Sequence, residues 1–495
     1  MDRCSPITPW SSVSASSCPD TGSGRHAVAA RDVAPGELLV AEEPYAAVVA
    51  RGMAGTYCTS CCRRLFAAVP CPVCCGVAFC TTACRDAGMD AHRLECPFLD
   101  LLHASGMSLN GYLALRIITC RPLQYYLQLR RALRQTGLLE PVDGTPGKDQ
   151  ELLVPSAKHP HDPSSYLSVY SLVGLEKQRE PLDFLQRTLM AVLLLKVLQR
   201  SGYFGPWCDD TPADADANDE ELYIGALLLR NLQLLQFNAH EVSSMVFLSD
   251  PPVFKKSKSL YVGIAVYPTV AFFNHSCFPA VARHFEGKRM MVSSIRRVAA
   301  GEMLAENYGP VFTHHTLEQR QRKLLSRYWF RCECEACRGG WGTYPELVQP
   351  LRLKCPHCGN AFTPCNNNDN KNNSKNNSSN NSSNSSSNSS SNSLRKSSKN
   401  DGKDSKAAAL CSCCHKPVPF EQMTAEMALA KQKFASGQRH MDSGDRECAI
   451  SELTTYVTTA QQHVALPYKD VHLALQALRL LVAARGTCAL VLPAK

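Results

Sequence analysis

Asn274-His275-Ser276-Cys277-Phe278-Pro279 decides the reading of this chain, because two later segments answer it: Glu306-Asn307-Tyr308-Gly309 about thirty residues on, then Cys332-x-Cys334-x2-Cys337. The first segment follows an apolar, strand-like run, and the second follows a turn at Ala300-Gly301-Glu302. Taken singly, each has an ordinary reading. Asn274 and His275 suit a turn whose side chains satisfy neighbouring backbone groups, and Tyr308 beside a glycine suits a strand end. Far upstream, Gly22-Ser23-Gly24-Arg25-His26 has glycines that let a backbone approach a ligand closely, though such a pair more often marks a turn. The pattern in this order, rather than any one residue, carries information.

Outward from there, cysteine dominates. The chain has 25 cysteines in 495 residues and a formal charge of +9. Met1 to Pro6 opens no apolar segment of the kind a secretory leader carries. The thiols are therefore expected to lie in a reducing compartment, cytosol or nucleus, where clustered Cys-x-x-Cys pairs indicate zinc rather than disulfides. The longest apolar run, Leu189 to Leu198, contains Lys196 and is too short to span a bilayer, so it reads as a buried helix and no membrane partner is expected. A charge this small and dispersed, with no basic recognition helix beside the cysteines, argues against direct nucleic-acid binding.

A first cysteine group reads Cys58-x2-Cys61, Cys71-x2-Cys74, Cys80-x3-Cys84, His92-x3-Cys96. Eight ligands in four pairs suit two tetrahedral ions, and a three-residue gap sets ligands one helical turn apart. Spacing does not say which pairs share an ion. Cys62 and Cys75 are extra thiols beside these ligands. Residues 24 to 50 alternate apolar and polar positions around Pro35-Gly36, as an antiparallel hairpin does. Leu182 to Leu198 and Leu222 to Phe237 carry helical periodicity on either side of an acidic stretch, Asp209 to Glu221, read as a solvated loop. Strand-like segments return between Leu260 and Val298. A last cysteine set, Cys355-x2-Cys358 and Cys411-x2-Cys414, is split by residues 366–406, almost all Asn, Ser and Lys. That insert cannot bury apolar surface and is expected to be disordered. Amphipathic helices are expected after residue 420.

The triple pattern, with cysteines following, resembles the SET lysine methyltransferase domain, and the eight-ligand series resembles the MYND zinc module. A MYND module between the first strands and the catalytic half is the layout of the SET and MYND family. Arg25-His26-Ala27-Val28-Ala29, Glu43-Pro44-Tyr45-Ala46-Ala47 and the second Cys-x2-Cys pair set point to that family's type-four branch and its arthropod relatives. The resemblance implies an α+β fold: short SET sheets with a pseudo-knot, an inserted MYND module, a helical insert and a C-terminal helical, TPR-like region. The expected divisions are 19–57 for the first part of SET, 58–96 for MYND and 97–237 for the helical insert. They continue with 238–310 for the catalytic core, 311–340 for the post-SET zinc segment, 350–420 for a zinc ribbon and 421–495 for C-terminal helices.

By the same resemblance the cofactors are S-adenosyl-L-methionine (SAM) and zinc. Asn274, His275 and Asn238 are implied to contact SAM, with Gly22, Ser23 and Gly24 along its methionine part. Tyr308 is implied to orient the target amine and to contact the cofactor, and Phe330 to wall the lysine channel and the cofactor beside it. One ion is implied for Cys58, Cys61, Cys80 and Cys84, a second for Cys71, Cys74, His92 and Cys96, and a third for Cys277, Cys332, Cys334 and Cys337. Cys355, Cys358, Cys411 and Cys414 make a fourth, unless one pair is vestigial and Cys365 or Cys413 substitutes. The implied reaction is methylation of a lysine on a histone or non-histone protein, by a monomer resident in nucleus and cytoplasm. The MYND surface is associated with proline-rich peptides or repressor complexes. Ala271 and Ala280 depart from the serine and asparagine frequent in relatives, which keeps a second reading open: a catalytically weak SET and MYND adaptor that recruits partners.

Overall fold

The computed structural model describes residues 13–18, 24–135, 161–205, 218–249, 253–347, 350–362 and 409–490. The insert 366–406, Cys365 and most of the acidic stretch Asp209–Glu221 lie outside the described residues.

The architecture is α+β, as expected: small sheets, a helical lobe that packs on Ala46–Val49 and Ser257–Val266, and a helical C-terminal region that packs on Val281–Glu286. Strand Ala239–Phe247 pairs antiparallel with Ser257–Val266, which pairs with Ala46–Val49 on its far edge. A second sheet orders Leu38–Glu42, Arg289–Ser294 and Val281–Glu286, all antiparallel. Between the sheets, the chain at 274–276 runs beside 305–306: Glu306 donates its N–H to the Asn274 carbonyl, and Ser276 donates to the Glu306 carbonyl. This parallel bridge joins two segments about thirty residues apart.

The hairpin expected over residues 24–50 does not form. Gly24–Ala29 pairs with Val13–Cys18, whereas Leu38–Glu42 pairs with Arg289–Ser294. The turn at Pro35-Gly36 survives, with Gly36 at a positive φ of 84°, but its N–H goes to the Ser294 carbonyl. Alternation reports that a strand is half buried, not which partner it pairs with.

In the helical lobe, Pro181–Arg200 and Asp219–Asn238 pack together. The second begins with a capping box: Asn218 accepts from the Glu221 N–H, and Glu221 accepts from the Asn218 N–H. The apolar run in the first is buried only on one face. Leu194, Val197 and Leu198 face the core, while Leu189 is 61% exposed. A continuous apolar run does not distinguish a buried helix from a one-sided one. Among the described residues no helix is long and apolar enough to cross a membrane.

The C-terminal region is three antiparallel helices, Phe420–Ser443, Arg446–His463 and Lys469–Ala483. The last buries Val471, Leu475, Leu478, Leu481 and Val482, each worth about 1.5–3 kcal/mol when fully removed from water. It packs on strand Val281–Glu286, and Cys488–Leu490 then adds a parallel strand to Ala239–Phe247. This tail strand has no periodicity long enough to read from sequence.

His472 sits among the rings of Phe278, Phe312 and Trp341, with Phe312 at 4.7 Å. Burial pushes its imidazole down to about 3. The native state therefore keeps it neutral while the unfolded chain protonates it near its ordinary value. Its contribution is intact above about pH 6.5 and falls as pH drops towards the folded value, by about 2 kcal/mol at pH 5. Urea unfolding at pH 7 and 5 is expected to show this loss, and His472→Phe to reduce it. An equal pH dependence in the variant would rule the residue out.

Candidate active site and metal centres

Four groups of sulfur and imidazole ligands converge, each with its ligand atoms within 4.8 Å of one another. They are Cys58, Cys61, Cys80 and Cys84; Cys71, Cys74, His92 and Cys96; Cys277, Cys332, Cys334 and Cys337; and Cys355, Cys358, Cys411 and Cys414. Tetrahedral zinc with Zn–S of about 2.3 Å sets sulfurs roughly 3.8 Å apart. The Sγ separations are 3.6 Å for Cys61 and Cys80, 3.9 Å for Cys71 and Cys96, and 3.6 Å for Cys277 and Cys337. In the split set, Cys355 to Cys414 and Cys358 to Cys411 are both 3.7 Å. The donor sets and spacing fit zinc.

Local backbone explains why two-residue gaps work. The residue after four of the five Cys-x2-Cys pairs adopts a left-handed conformation: Cys62, Cys75, Gly359 and His415; in the fifth, Cys334 and Cys337, the chain continues into the short helix Glu335–Arg338 instead. The left-handed residue folds its pair into a knuckle whose N–H groups turn towards sulfur, as Val73 and Gly76 do towards Cys71 and Cys74 at 3.4 Å. Cys62 and Cys75 thus fill turn positions and stand outside the ligand groups. Cys413 also stands outside, its Sγ 2.9 Å from the Asn360 amide. Left-handed backbone costs a non-glycine residue about 1 kcal/mol, and Cys75 is exposed. Cys75→Gly is therefore expected to stabilise the protein by about that amount in thermal unfolding, with zinc content unchanged. Loss of zinc would return Cys75 to the ligands. A fifth group, His440, Asp445 and Cys448, is the start of a helix in which Asp445 caps the Cys448 N–H, and it needs no ion.

The third group adjoins the segment at Asn274. The helix Leu317–Tyr328 ends at Trp329, left-handed at φ 61°, so the chain doubles back. Tyr328 and Phe330 are brought to the same side. The Gln321 side chain pins the returning strand, donating to the Cys332 carbonyl at 2.7 Å and accepting its N–H at 3.0 Å. Fully buried Arg320 donates to the His315 and Ala336 carbonyls.

The outcome is a cluster of rings. Tyr308 lies 5.0 Å from Tyr328 and 5.3 Å from His275, and Phe330 lies 6.1 Å from His275. His275 Nδ1 accepts the Tyr308 N–H at 3.0 Å, which leaves the ring proton on Nε2, 3.3 Å from Cys277 Sγ. Burial lowers its pKa to about 4, so the ring is neutral. The Tyr308 hydroxyl donates to the Phe273 carbonyl at 2.9 Å. Burial, and next the Glu306 carboxylate, push its ionisation well above the ordinary value. Glu306 itself is held low: burial opposes its charge, but Arg283 at 2.5 Å and His240 at 3.3 Å outweigh it.

On the other side of Asn274, further predicted residues meet. Arg25, following Gly24, stacks 5.5 Å over Phe272 and donates to the Ser171 carbonyl. Two residues on, the Val173 carbonyl accepts from the Asn238 carboxamide at 2.8 Å. Gly24, Asn238 and the 272–275 segment therefore border one region, while Gly22 and Ser23 lie outside the described residues. Phe237, beside Asn238, packs 5.2 Å from Trp329 with Arg179 over both rings, tying this region to the turn at Trp329. Glu42 accepts the Thr269 and Val270 N–H groups at 2.9 and 3.0 Å and so caps the turn leading to Asn274. Ala280 is fully buried, and Ala271 is partly buried against the helical lobe. Sequence reading missed Tyr328, Glu42 and His161, whose ring meets Phe272 at 5.5 Å. Tyr328-Trp329-Phe330 ahead of the cysteines was the available signal for the first.

No family model matches the chain. It is 25% identical over 404 residues to protein-lysine N-methyltransferase SMYD4 of Mus musculus, covering 72% of this chain and 50% of that protein. It is 23% identical over 319 residues to histone-lysine N-methyltransferase SMYD3 of Mus musculus, covering 64% and 59%. The chain thus spans about half the length of the SMYD4 proteins it matches. A crystal structure of the SET domain of LSMT bound to lysine and AdoHcy covers 68% of this chain and 55% of that one, at 11% identity and a TM-score of 0.24; a likeness that loose carries no argument. The curated relatives support the resemblance to SET and MYND proteins, on the SMYD4-like side.

Proposed function

We propose that this chain is a SAM-dependent protein-lysine N-methyltransferase. The observation that carries the reading is the ring cluster of His275, Tyr308, Tyr328 and Phe330, set between the Asn274 region and four convergent thiols. The similarity to proteins named as lysine methyltransferases supports it. The substrate is a lysine on a histone or non-histone protein. Nuclear and cytoplasmic residence, and partner binding through the MYND module, are part of the same proposal.

SAM, when bound, supplies a methyl group on a sulfonium. Asn274, His275, Asn238 and the Gly24 loop border the region that would hold it. Tyr308 cannot act as a phenolate, because its ionisation is pushed far above neutral. Its hydroxyl proton is already given to the Phe273 carbonyl, so its oxygen presents lone pairs. Those accept an N–H from the substrate amine and aim the remaining lone pair. Tyr328 and Phe330 line the approach, keep water out and favour a cationic centre through their ring faces. Cys277, Cys332, Cys334 and Cys337 would hold a zinc ion that fixes the turn at Trp329, and His275 links those thiols to the Tyr308 backbone.

Thermal unfolding of the zinc-loaded protein with SAM at about a hundred times Kd is expected to show about 2.7 kcal/mol of stabilisation. The Asn274→Ala, His275→Ala variant is expected to lose it. No shift at millimolar SAM would favour the adaptor reading over the enzyme.

A further inference from the structure

Beside Tyr308 a cavity of about 460 Å³ opens between the SET sheets and the last helix, Lys469–Ala483. Its wall includes Glu306, Asn307 and Gly309, the neighbours of Tyr308 in sequence, and, from across the gap, Arg283, Gln476 and Arg479. The charges do not balance. Glu306 is already paired with Arg283 and His240. Glu241, also near Arg283, is ion-paired with Arg327. Arg479 has no hydrogen-bond or ion-pair partner among the described residues and is half-buried beside Arg283. Burial and the neighbouring Arg283 press its pKa down to about 10, so it stays cationic at neutral pH at the expense of lost hydration.

We propose that this cavity takes a carboxylate side chain, Asp or Glu, of the polypeptide substrate, close to the target lysine. A guanidinium half removed from water, with no partner, gains most from a planar acceptor that meets it in two parallel hydrogen bonds. The wall carries one positive charge in excess, which matches a monoanion; the Glu306 carboxylate in the same wall disfavours a dianion. The volume falls within the range of small binding pockets. The proposal rests on the methyltransferase reading for its position beside Tyr308, and it gives that reading a substrate class: lysines with an acidic neighbour.

The test uses the full zinc-loaded chain and pools of fluorescent peptides with one central lysine, neutral randomised flanks and blocked ends. Each pool fixes Glu or Gln at one flanking position, and binding is read by anisotropy. At one or two positions the Glu pool is expected to bind at least about tenfold tighter. The gap should shrink as salt rises from about 0.1 to about 1 M and the screening length falls from about 10 to about 3 Å. Arg479→Gln is expected to lose the preference while its Gln-pool affinity holds; Arg479→Lys should keep part of it. Equal binding of Glu and Gln pools by the parent overturns the proposal whether or not a variant folds. So does a preference untouched in a folded Arg479→Gln protein. A neutral pool with a free C-terminus that alone gains affinity assigns the site to a chain end and overturns the side-chain assignment. Methyl transfer from labelled SAM, measured on the same peptides, separates the two readings: a Glu preference without transfer sinks the enzyme reading and leaves the acidic dock standing.

Discussion

Tyr308→Phe is expected to lower methyl transfer by at least about a hundredfold, about 2.7 kcal/mol of barrier, while the thermal shift caused by SAM stays. The ring remains between His275 and Tyr328, so packing is preserved. What disappears is one oxygen, whose proton goes to the Phe273 carbonyl and whose lone pairs, in the proposed mechanism, accept from the substrate amine. The orphaned carbonyl adds a stability loss of about 1 kcal/mol, to be measured separately by unfolding. Tyr328→Phe is the informative control. Its hydroxyl reaches only the Tyr308 backbone carbonyl, at 3.4 Å, so its effect should be several times smaller. If Tyr308→Phe keeps activity within about threefold, the hydroxyl does not orient the amine.

Cys337→Ser is expected to remove one zinc per chain and, with it, most methyl transfer. Cys337 lies buried 3.6 Å from Cys277, on the far side of the turn that carries Tyr328 and Phe330. Structural zinc contributes about 10–16 kcal/mol of apparent binding energy in small modules. Losing a thiolate should therefore release residues 311–340 to proteolysis well before the rest of the chain unfolds. Cys413→Ser provides the contrast, since that thiol stands outside the ligand groups; its zinc content should match the parent. Full zinc and intact activity in Cys337→Ser would detach the post-SET cysteines from the site.

Much of this was legible because the relevant spacing is local. Two thiols separated by two residues lie within one turn of chain, as a knuckle in four pairs and at a short helix in Cys334 and Cys337, and His92 and Cys96 lie one helical turn apart, so the zinc ligands were readable as pairs. The order Asn274-His275, Tyr308, Cys332 identified the fold type by resemblance, and helical periodicity placed Pro181–Arg200 and Asp219–Asn238 to within three residues, the second starting inside the stretch read as an acidic loop. Where partners are distant, reading stopped. Alternation over residues 24–50 gave strands but mated them wrongly, because a strand's pattern records burial and not its neighbour.

The sequence by itself therefore determined the fold class, the ligand pairs and the candidate catalytic segments, all of them encoded within a few residues. Only the tertiary structure decided what stands beside what. Phe330 returns beside Tyr328 because Trp329 takes a left-handed turn. His275 joins Cys277 to Tyr308 across 33 residues. Arg479, on the last described helix, faces Glu306 across a cavity. Those juxtapositions are set by packing of whole elements, whose long-range contacts leave no periodic trace in any one segment.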